Sequence, residues 1–258
     1  MLVERTANYN YEALKQFLNK FPEYKGRPTI ISGESYAGVY LPMLANLIIK
    51  RQKKFPINLK GVLIGNGMLS HILDDNTMPL YAYGHAIIDE ELWQYFGKKC
   101  CKGCAENDSY DEPIIPCIKG NIINNYMNLP KVREAFHIPN NITWKECNDD
   151  FKNKYDLQYA DMVDFMKNII KAKVPVWAYY GDTDIVCNFL IGERFATQLG
   201  ITLLTPKTPW ILDDQIGGTV TEYDGFTLLT VRGVGHMVPQ WAPKRAFYIL
   251  TQFLNQTI

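Results

Sequence analysis

The chain has 258 residues, and its 27 basic and 27 acidic side chains give a formal net charge of zero at pH 7. This balance provides no overall attraction to nucleic acid or to an anionic membrane surface. No apolar run approaches the roughly 20 residues that cross a bilayer, and the first residues, MLVERTANYN, contain no signal-peptide core. We therefore expect a single domain over residues 1–258 that has no nucleic-acid partner and no membrane partner.

The cysteines point to an oxidising compartment. Four of the six fall close together: Cys100, Cys101, Cys104 and Cys117. This crowding is typical of a disulfide-stabilised loop. A zinc site is the alternative, but four zinc thiolates usually come as two separated pairs. Three N-glycosylation sequons agree with a secretory route, although this chain shows no signal peptide. They lie at Asn107, Asn141 and Asn255.

The first predicted element is a helix over residues 9–21 that stops before Pro22. Its apolar face consists of Tyr11, Leu14, Phe17 and Leu18.

Two strands with a helix between them follow. The β-branched residues 29–31 predict a short buried strand, and residues 37–48 keep apolar side chains at helical spacing. Residues 60–68, KGVLIGNGM, predict a second buried strand that ends in a glycine-rich turn. The order strand, helix, strand indicates a parallel sheet.

The pattern is looser from about residue 70 to 150, and we interpret this segment as an insertion over the sheet edge with a short helix near LPKVREAFHI. Regular elements then resume up to the C-terminus. They are an amphipathic helix at 155–171, a strand at 174–182, a β-rich segment at 210–227, a strand within 226–236 and a closing helix, APKRAFYILTQFL.

The segment between the first strand and its helix reads GESYAG, residues 33–38. It resembles the nucleophile elbow Gly-x-Ser-x-Gly, except that Ala37 replaces the second glycine. In such an elbow, a sharp turn exposes Ser35 Oγ beside a helix N-terminus, where backbone N–H groups can stabilise negative charge. The alternative is an ordinary strand-to-helix connection in which Ser35 caps the helix.

Three strand ends each offer a polar residue: Ser35, then Asp182 or Asp184, then His236. The order Ser, Asp, His is that of the α/β hydrolases. A serine hydroxyl is a poor nucleophile until an imidazole accepts its proton, and a carboxylate must fix the tautomer of that imidazole. For the other histidines, we predict positions on the surface or structural roles with satisfied hydrogen bonds. They are His71, His85 and His137.

Several separated motifs together resemble the serine carboxypeptidases of the cathepsin A and carboxypeptidase Y type. These motifs are GESYAGVYLP, YYGDTDIVCN and GVGHMVPQWAP, with the helix NYEALKQFLNKFPEYKGRP before the serine and GNG after the second strand. In that family the elbow itself reads Gly-Glu-Ser-Tyr-Ala-Gly, so Ala37 is part of the family signature. The resemblance implies an α/β-hydrolase fold, with a mostly parallel central sheet flanked by helices.

The resemblance also implies a role for each matching residue. Ser35 matches the nucleophile, Asp184 the acid and His236 the general base, while Asp182 becomes a turn residue. Tyr36 would give its backbone N–H as an oxyanion donor, because it follows the nucleophile.

Three further positions match the substrate pocket of the family. Glu34 matches a glutamate that shares a proton with a second glutamate and helps bind the terminal carboxylate of the substrate. Only a protonated carboxyl can donate such a hydrogen bond, which implies an acidic working pH. Cys187 matches a free thiol near the pocket, and a small buried apolar residue is its alternative role. Met237 completes the implied substrate-binding set.

The resemblance further implies peptide substrates with a free C-terminal carboxylate, no cofactor and no metal. It also implies a homodimer and a lysosomal, vacuolar or secreted location. Family members carry an N-terminal portion, with an Asn-Gly-Gly-Pro-Gly-Cys-Ser-Ser stretch, that this sequence lacks. That portion supplies the second oxyanion donor, the carboxylate-binding asparagine and the partner of Glu34. We therefore expect an incomplete copy of a longer protein.

The same comparison leaves the cysteine pairing open. In the family, the cysteine that pairs with the match of Cys147 lies in the N-terminal stretch that this sequence lacks. Cys117 pairs either with Cys100 or with a lost mate, and Cys101 with Cys104 would close a tight loop.

Two classes of function remain open. One is a serine carboxypeptidase. The other is a short homologue that keeps the triad but has a binding or protective role. Within the enzyme class, an esterase or acyltransferase is the alternative, because the same triad serves any acyl transfer.

Overall fold

The computed structural model describes residues 3–99, 125–139, 141–145 and 157–257. The chain forms two compact units. The larger one comprises Leu2–Asn107 and Gln158–Ile258, and the smaller one contains Asp108–Leu157. The segment interpreted as an insertion starts at residue 70, but the helices between residues 71 and 99 belong to the larger unit.

The larger unit alternates helices and strands along the chain. Its helices are α1 (Val3–Lys20), α2 (Ala37–Arg51), α3 (His71–Gly84), α4 (Glu90–Lys99), α6 (Val163–Lys171), α7 (Phe189–Leu199), α8 (Val238–Trp241) and α9 (Pro243–Thr257), with a 3-10 turn at Pro22–Tyr24. Its strands are β1 (Thr29–Glu34), β2 (Leu59–Gly65), β3 (Val176–Gly181), β4 (Leu203–Leu212), β5 (Gln215–Tyr223) and β6 (Phe226–Val231).

The described part of the smaller unit contains helix α5 (Pro130–Ala135). A side chain joins the two ends of this part. Asn128 Nδ2 donates to the carbonyl of Trp144 at 2.9 Å, and its Oδ1 accepts from the N–H of Trp144 at 2.8 Å.

The six strands form one sheet in the order β1-β2-β3-β6-β5-β4. β1, β2, β3 and β6 pair in parallel, whereas β6–β5 and β5–β4 pair antiparallel. The predicted parallel sheet flanked by helices is therefore confirmed, with an antiparallel hairpin at one edge. Because parallel strands end at the same sheet edge, the loops after β1, β2, β3 and β6 lie together.

Alternating side chains of the central strands divide the core into two apolar clusters. Val62 and Ile64 face one cluster, to which α1, α2, α6 and α7 contribute. Leu63 faces the other cluster, where α9 packs through Phe253. This alternation follows from the period of two along a strand. The sheet is covered on both faces, as parallel strands require.

The first residues of two helices, α1 and α6, differ from those that we predicted. α1 starts six residues before the predicted residue 9, and Phe17 of its predicted apolar face is 45% exposed. Phe17 instead packs on Phe21 at 5.0 Å between ring centroids. The helix predicted from residue 155 begins, within the described residues, at Val163.

Local hydrogen bonds explain the start of α6. The N–H of Met162 donates to the carbonyl of Leu69 at 3.1 Å, so the chain before the helix runs beside the residues that follow β2. Asp161 Oδ1 then accepts from the N–H of Val163 at 2.7 Å. These contacts satisfy backbone groups outside the helix and fix its first turn.

The β-rich segment predicted from residue 210 begins at Leu203 in the structure. Residues 203–209 of β4 were not predicted, because most side chains of this strand are exposed and it lacks a buried face. Asp213 and Asp214, which join β4 to β5, have φ values of 53° and 57°. Positive φ at both central residues is typical of a type I′ hairpin turn.

Candidate active site

Ser35 lies in a strained turn between β1 and α2, with φ of 63°. Its N–H donates to the carbonyl of Gly65 at 3.0 Å, and its carbonyl accepts from Gly38 and Met68, each at 3.0 Å. A non-glycine residue in the left-handed region costs conformational energy and commonly marks a functional site. α2 has Tyr36 at its N-cap position without a side-chain capping bond, so the alternative role of Ser35 as a cap is wrong.

Ala37 fits the elbow because residue 33 has no side chain. A Cβ at Gly33 would lie 2.7 Å from the Cβ of Ala37, closer than two carbon atoms can pack. Gly33, the first glycine of the elbow, thus leaves room for the methyl group of Ala37, which replaces the second glycine.

Asp184 and His236 are in direct contact. His236 Nδ1 lies 2.7 Å from Asp184 Oδ2, and Asp184 is only 3% exposed. The N–H of Val186 donates to the other carboxylate oxygen at 2.9 Å. This carboxylate can fix the tautomer of the imidazole and stabilise its protonated form.

Asn66, in the GNG turn after β2, is a site residue that the sequence analysis missed. It is buried, with φ of 41°. Its Nδ2 donates to Asp184 Oδ2 at 2.7 Å, and its Oδ1 accepts from the N–H of Gly181 at 3.2 Å. The motif signalled a turn, but only the pairing of β2 with β3 brings this amide to Asp184.

The loops after β3 and β6 are joined by backbone contacts. A Cβ at Gly181 would lie 2.2 Å from the carbonyl oxygen of Gly235, so a side chain there would separate the two loops. Asp182 Oδ1 accepts from the N–H of Gly233 at 2.6 Å, in agreement with its expected role in a turn. These contacts hold His236 over the carboxyl end of the sheet.

The electrostatics of the pair suit a base. The hydrogen bond that His236 donates to Asp184, together with the charges of Asp184 and Glu34, raises the pKa of His236 even though burial opposes the shift. Burial alone would raise the pKa of Asp184, but His236, Asn66 and the backbone of Cys187 outweigh it and lower that pKa. Asp184 therefore stays ionised beside the imidazole.

Glu34 ends β1 and precedes Ser35. Burial raises its pKa, the charge of His236 lowers it, and the charge of Asp184 raises it again, with a net upward shift. A carboxyl with a raised pKa keeps its proton to higher pH and can donate a hydrogen bond.

Cys187 is a free thiol that is 1% exposed. Burial raises its pKa, as do the charges of Asp184 and Asp74, whereas a hydrogen bond with the Ser35 side chain opposes the shift. The sulfur therefore remains a thiol in contact with the predicted nucleophile. Among the described residues, no hydrogen bond joins Ser35 Oγ to His236. Such bonds often tighten only when substrate binds.

The other predicted site residues border this cluster. Tyr36 is half-buried at the start of α2, and Met237 is 40% exposed directly after His236. His85 behaves as a structural histidine, since its ring nitrogens lie 2.9 Å and 3.2 Å from the carbonyl oxygens of Tyr81 and Asp182. The ring of His71 packs 5.9 Å from that of Tyr36, and its buried Nε2 has no hydrogen-bond partner among the described residues.

Some predictions fall outside the described residues, including the five other cysteines and the sequon at Asn107. Asn141 and Asn255 are exposed. Across the described ranges, no group of three or more His, Cys, Asp and Glu side chains could hold a metal ion. None of the helices in the described part of the chain is long and apolar enough to cross a membrane.

Known proteins provide three comparisons. A lysosomal protective protein of Mus musculus is 29% identical over 97% of this chain and 69% of its own length. A serine carboxypeptidase of Caenorhabditis elegans is 30% identical over 96% of this chain and 68% of its own length. The structure of a prohormone-processing carboxypeptidase from Saccharomyces cerevisiae superimposes with a TM-score of 0.80 at 21% identity, covering 98% of this chain and 67% of that one.

The chain spans a smaller share of its Arabidopsis and rice relatives, between 59% and 64% of their length. The structural likeness confirms the predicted α/β-hydrolase fold. The family model described as serine carboxypeptidase matches residues 3–116 and 111–256, nearly the whole sequence. The chain therefore belongs to the serine carboxypeptidase family.

Proposed function

We propose that this protein is a serine-type carboxypeptidase that releases the C-terminal residue of peptides through an acyl-enzyme. Ser35 is the nucleophile, His236 the general base and Asp184 the acid that orients it. The observation that carries this proposal is the 2.7 Å contact between His236 Nδ1 and buried Asp184 Oδ2, at the sheet edge where Ser35 occupies its strained turn.

In the first half of the reaction, Ser35 Oγ attacks the carbonyl carbon of the last peptide bond and its proton passes to His236 Nε2. The negative charge formed on the carbonyl oxygen is stabilised by the N–H of Tyr36. When the C–N bond breaks, His236 returns the proton to the leaving nitrogen, so that a free amino acid departs and an ester remains on Ser35.

In the second half, His236 takes a proton from water as the water oxygen attacks the ester carbonyl. The bond to Ser35 Oγ then breaks, and the proton on His236 passes to that oxygen. The shortened peptide leaves with a new carboxylate, and the enzyme returns to its starting state.

Glu34 distinguishes a carboxypeptidase from an esterase of the same fold. Its raised pKa lets the protonated carboxyl donate a hydrogen bond to the terminal carboxylate of the substrate. Cys187 and Met237 complete the pocket. Peptides with a free C-terminus are therefore the proposed substrates.

The proposed location is the lysosome, the vacuole or the cell exterior. The name of the mouse relative, a lysosomal protective protein, supports the first of these. Glycosylation at the exposed Asn141 and Asn255, disulfide bonds and a homodimer are further parts of the proposal. We also propose that residues 1–258 form a single domain with an insertion at about residues 70–150.

Labelling with a fluorophosphonate probe, followed by mass spectrometry of the adduct, tests the nucleophile. We expect the adduct on Ser35, and we expect Ser35→Ala to abolish it. Ser32→Ala is the matched control, because Ser32 is an exposed serine of the same strand. An adduct on another serine, or labelling that survives Ser35→Ala, would reject the assignment.

A further inference from the structure

A strongly charged surface lies at the sheet edge opposite the catalytic residues. Because β1, β2 and β3 run in parallel, their first residues and the segments that lead into them meet at this edge. Six exposed basic residues lie there outside any helix: Lys25, Arg27, Lys53, Lys54, Lys60 and Lys173. We call them the basic row. The chain as a whole is neutral, so this concentration of positive charge is local.

Neither helix ends nor ion pairs explain the basic row. A basic residue in the last turn of a helix is favoured by the helix dipole, as for Lys20, Lys50 and Lys171. The basic row lies outside helices, and the ion pairs among the described residues leave its members out. The exposed Glu23 and Asp224 offset only part of the charge at this edge. The row is therefore available to an anionic ligand.

Aromatic rings hold two members of the basic row in place. The guanidinium carbon of Arg27 lies 5.2 Å from the ring centroid of Tyr24, and Lys25 Nζ lies 5.8 Å from that of Phe55. Arg27 Nε also donates to the carbonyl of Glu23 at 2.9 Å. Because these contacts already order the long side chains, a ligand that binds them loses less conformational entropy.

A cavity of about 590 Å³ opens within the basic row, between Lys25 and Phe55. Two amide side chains form part of its wall. Asn58 Nδ2 donates to the carbonyl of Gly26 at 2.9 Å, and Gln52 Oε1 accepts a backbone N–H at 3.2 Å. These bonds fix both amides through one atom each and leave Asn58 Oδ1 and Gln52 Nε2 for a ligand.

The combination of groups in this cavity fits a sulfated sugar. The ring of Phe55 can contact an apolar sugar face, the amides can bind hydroxyl groups, and Lys25 can bind a sulfate. Lys60 and Lys173 continue the positive charge along the starts of the neighbouring strands β2 and β3. The charges therefore follow a line, as the sulfates of a polysaccharide do. A phosphate backbone or lipid headgroups would need the charge but not the amides.

We propose that this surface binds a sulfated polysaccharide, with one sugar in the cavity and neighbouring sulfates along the basic row. The ligand would lie at the sheet edge opposite Ser35, so the active site would remain accessible to peptides. The inference goes beyond the proposed function and does not depend on it.

The test compares heparin, a sulfated polysaccharide, with a sulfopropyl matrix, which offers negative charge without sugar. We expect the wild-type chain to elute from heparin at the higher salt concentration. Calorimetric titration with a heparin hexasaccharide should give a Kd that increases about tenfold in Lys53→Gln/Lys54→Gln, because two ionic contacts are lost. Gln52→Ala should increase this Kd severalfold and leave elution from the sulfopropyl matrix unchanged, because it removes a hydrogen bond but no charge.

Lys207→Gln/Lys244→Gln is the matched control, because it removes two exposed lysines from β4 and α9, outside the basic row. This control should keep the Kd within about twofold. Fluorophosphonate labelling of Ser35 should be equal in all variants, which shows that they are folded and separates this inference from the proposed function.

Elution from both matrices at the same salt concentration, or an equal loss of affinity in the control, would overturn the inference. Tighter binding to oligothymidylate or to phosphatidylserine vesicles, dependent on Lys53 and Lys54 but not on Gln52, would also overturn it, because the surface would then recognise charge alone.

Discussion

Asn66 and His236 share one oxygen atom, Oδ2 of Asp184, each at 2.7 Å. The amide thus holds the carboxylate in the position from which it orients the imidazole. Asn66 also tolerates the positive φ of its turn better than most residues, since Asn is enriched in the left-handed region.

Replacing Asn66 should therefore reduce catalysis without removing a catalytic group. We expect Asn66→Gly, which keeps the positive φ accessible, to lower the rate of Ser35 labelling about tenfold, the effect of one lost hydrogen bond to a charged group. Because Asn66 lowers the pKa of Asp184, the variant should also shift the pH profile of labelling. A slower rate with an unchanged profile would indicate a structural role alone.

The pKa of His236 provides a second prediction. Its folded value lies above the ordinary 6.5, chiefly through the hydrogen bond that the ring donates to Asp184. Because the base must be neutral, labelling of Ser35 should increase as the pH rises through this raised pKa. Asp184→Asn should move the midpoint to lower pH and reduce the rate several orders of magnitude. Titration of the His236 ring protons by NMR, assigned with His236→Ala, measures the midpoint directly, and a wild-type value at or below 6.5 would contradict the account.

The proposed role of Glu34 leads us to expect that peptide and ester hydrolysis depend differently on pH. Its raised pKa means that the proton is lost at higher pH than for an ordinary glutamate, so hydrogen bonding to the substrate carboxylate should weaken as the pH rises through that pKa. The ratio of peptide to ester hydrolysis should therefore fall with increasing pH, and the requirement for neutral His236 cancels in this ratio.

Glu34→Gln removes the titration while it keeps a hydrogen-bond donor. The ratio should then become independent of pH, which separates the role of the proton from that of the side-chain shape. A wild-type ratio that does not change with pH would show that Glu34 does not recognise the carboxylate.

The elbow predicts a steric coupling between residues 33 and 37. Gly33→Ala should destabilise the fold by about 1–3 kcal/mol, because the new Cβ would lie 2.7 Å from that of Ala37. Adding Ala37→Gly should relieve the clash and restore part of the loss. Urea denaturation of the two single variants and the double variant measures the coupling, and additive effects would contradict the close contact.

Much of this site could be predicted from the sequence, because its signals are local. The strand, the GESYAG segment and the following helix are adjacent in the chain, so their pattern already indicates an elbow at Ser35. Asp184 and His236 each follow a recognisable buried strand. The structure then supplies the contact between them, which no spacing along the chain could establish.

Other features depend on tertiary contacts and left no such signal. The GNG motif predicted a turn, but the role of Asn66 depends on the neighbouring strand β3. The start of α6 is set by Asp161 and by the carbonyl of Leu69, which lie outside the helical periodicity.

Two peptides of the same sequence, one ending in a free carboxylate and one in an amide, distinguish a carboxypeptidase from other hydrolases of this fold. At acidic pH, we expect the wild-type chain to release the C-terminal residue from the free acid and to act much more slowly on the amide. Ser35→Ala should act on neither peptide. Equal release from both peptides, or release that survives Ser35→Ala, would contradict the account.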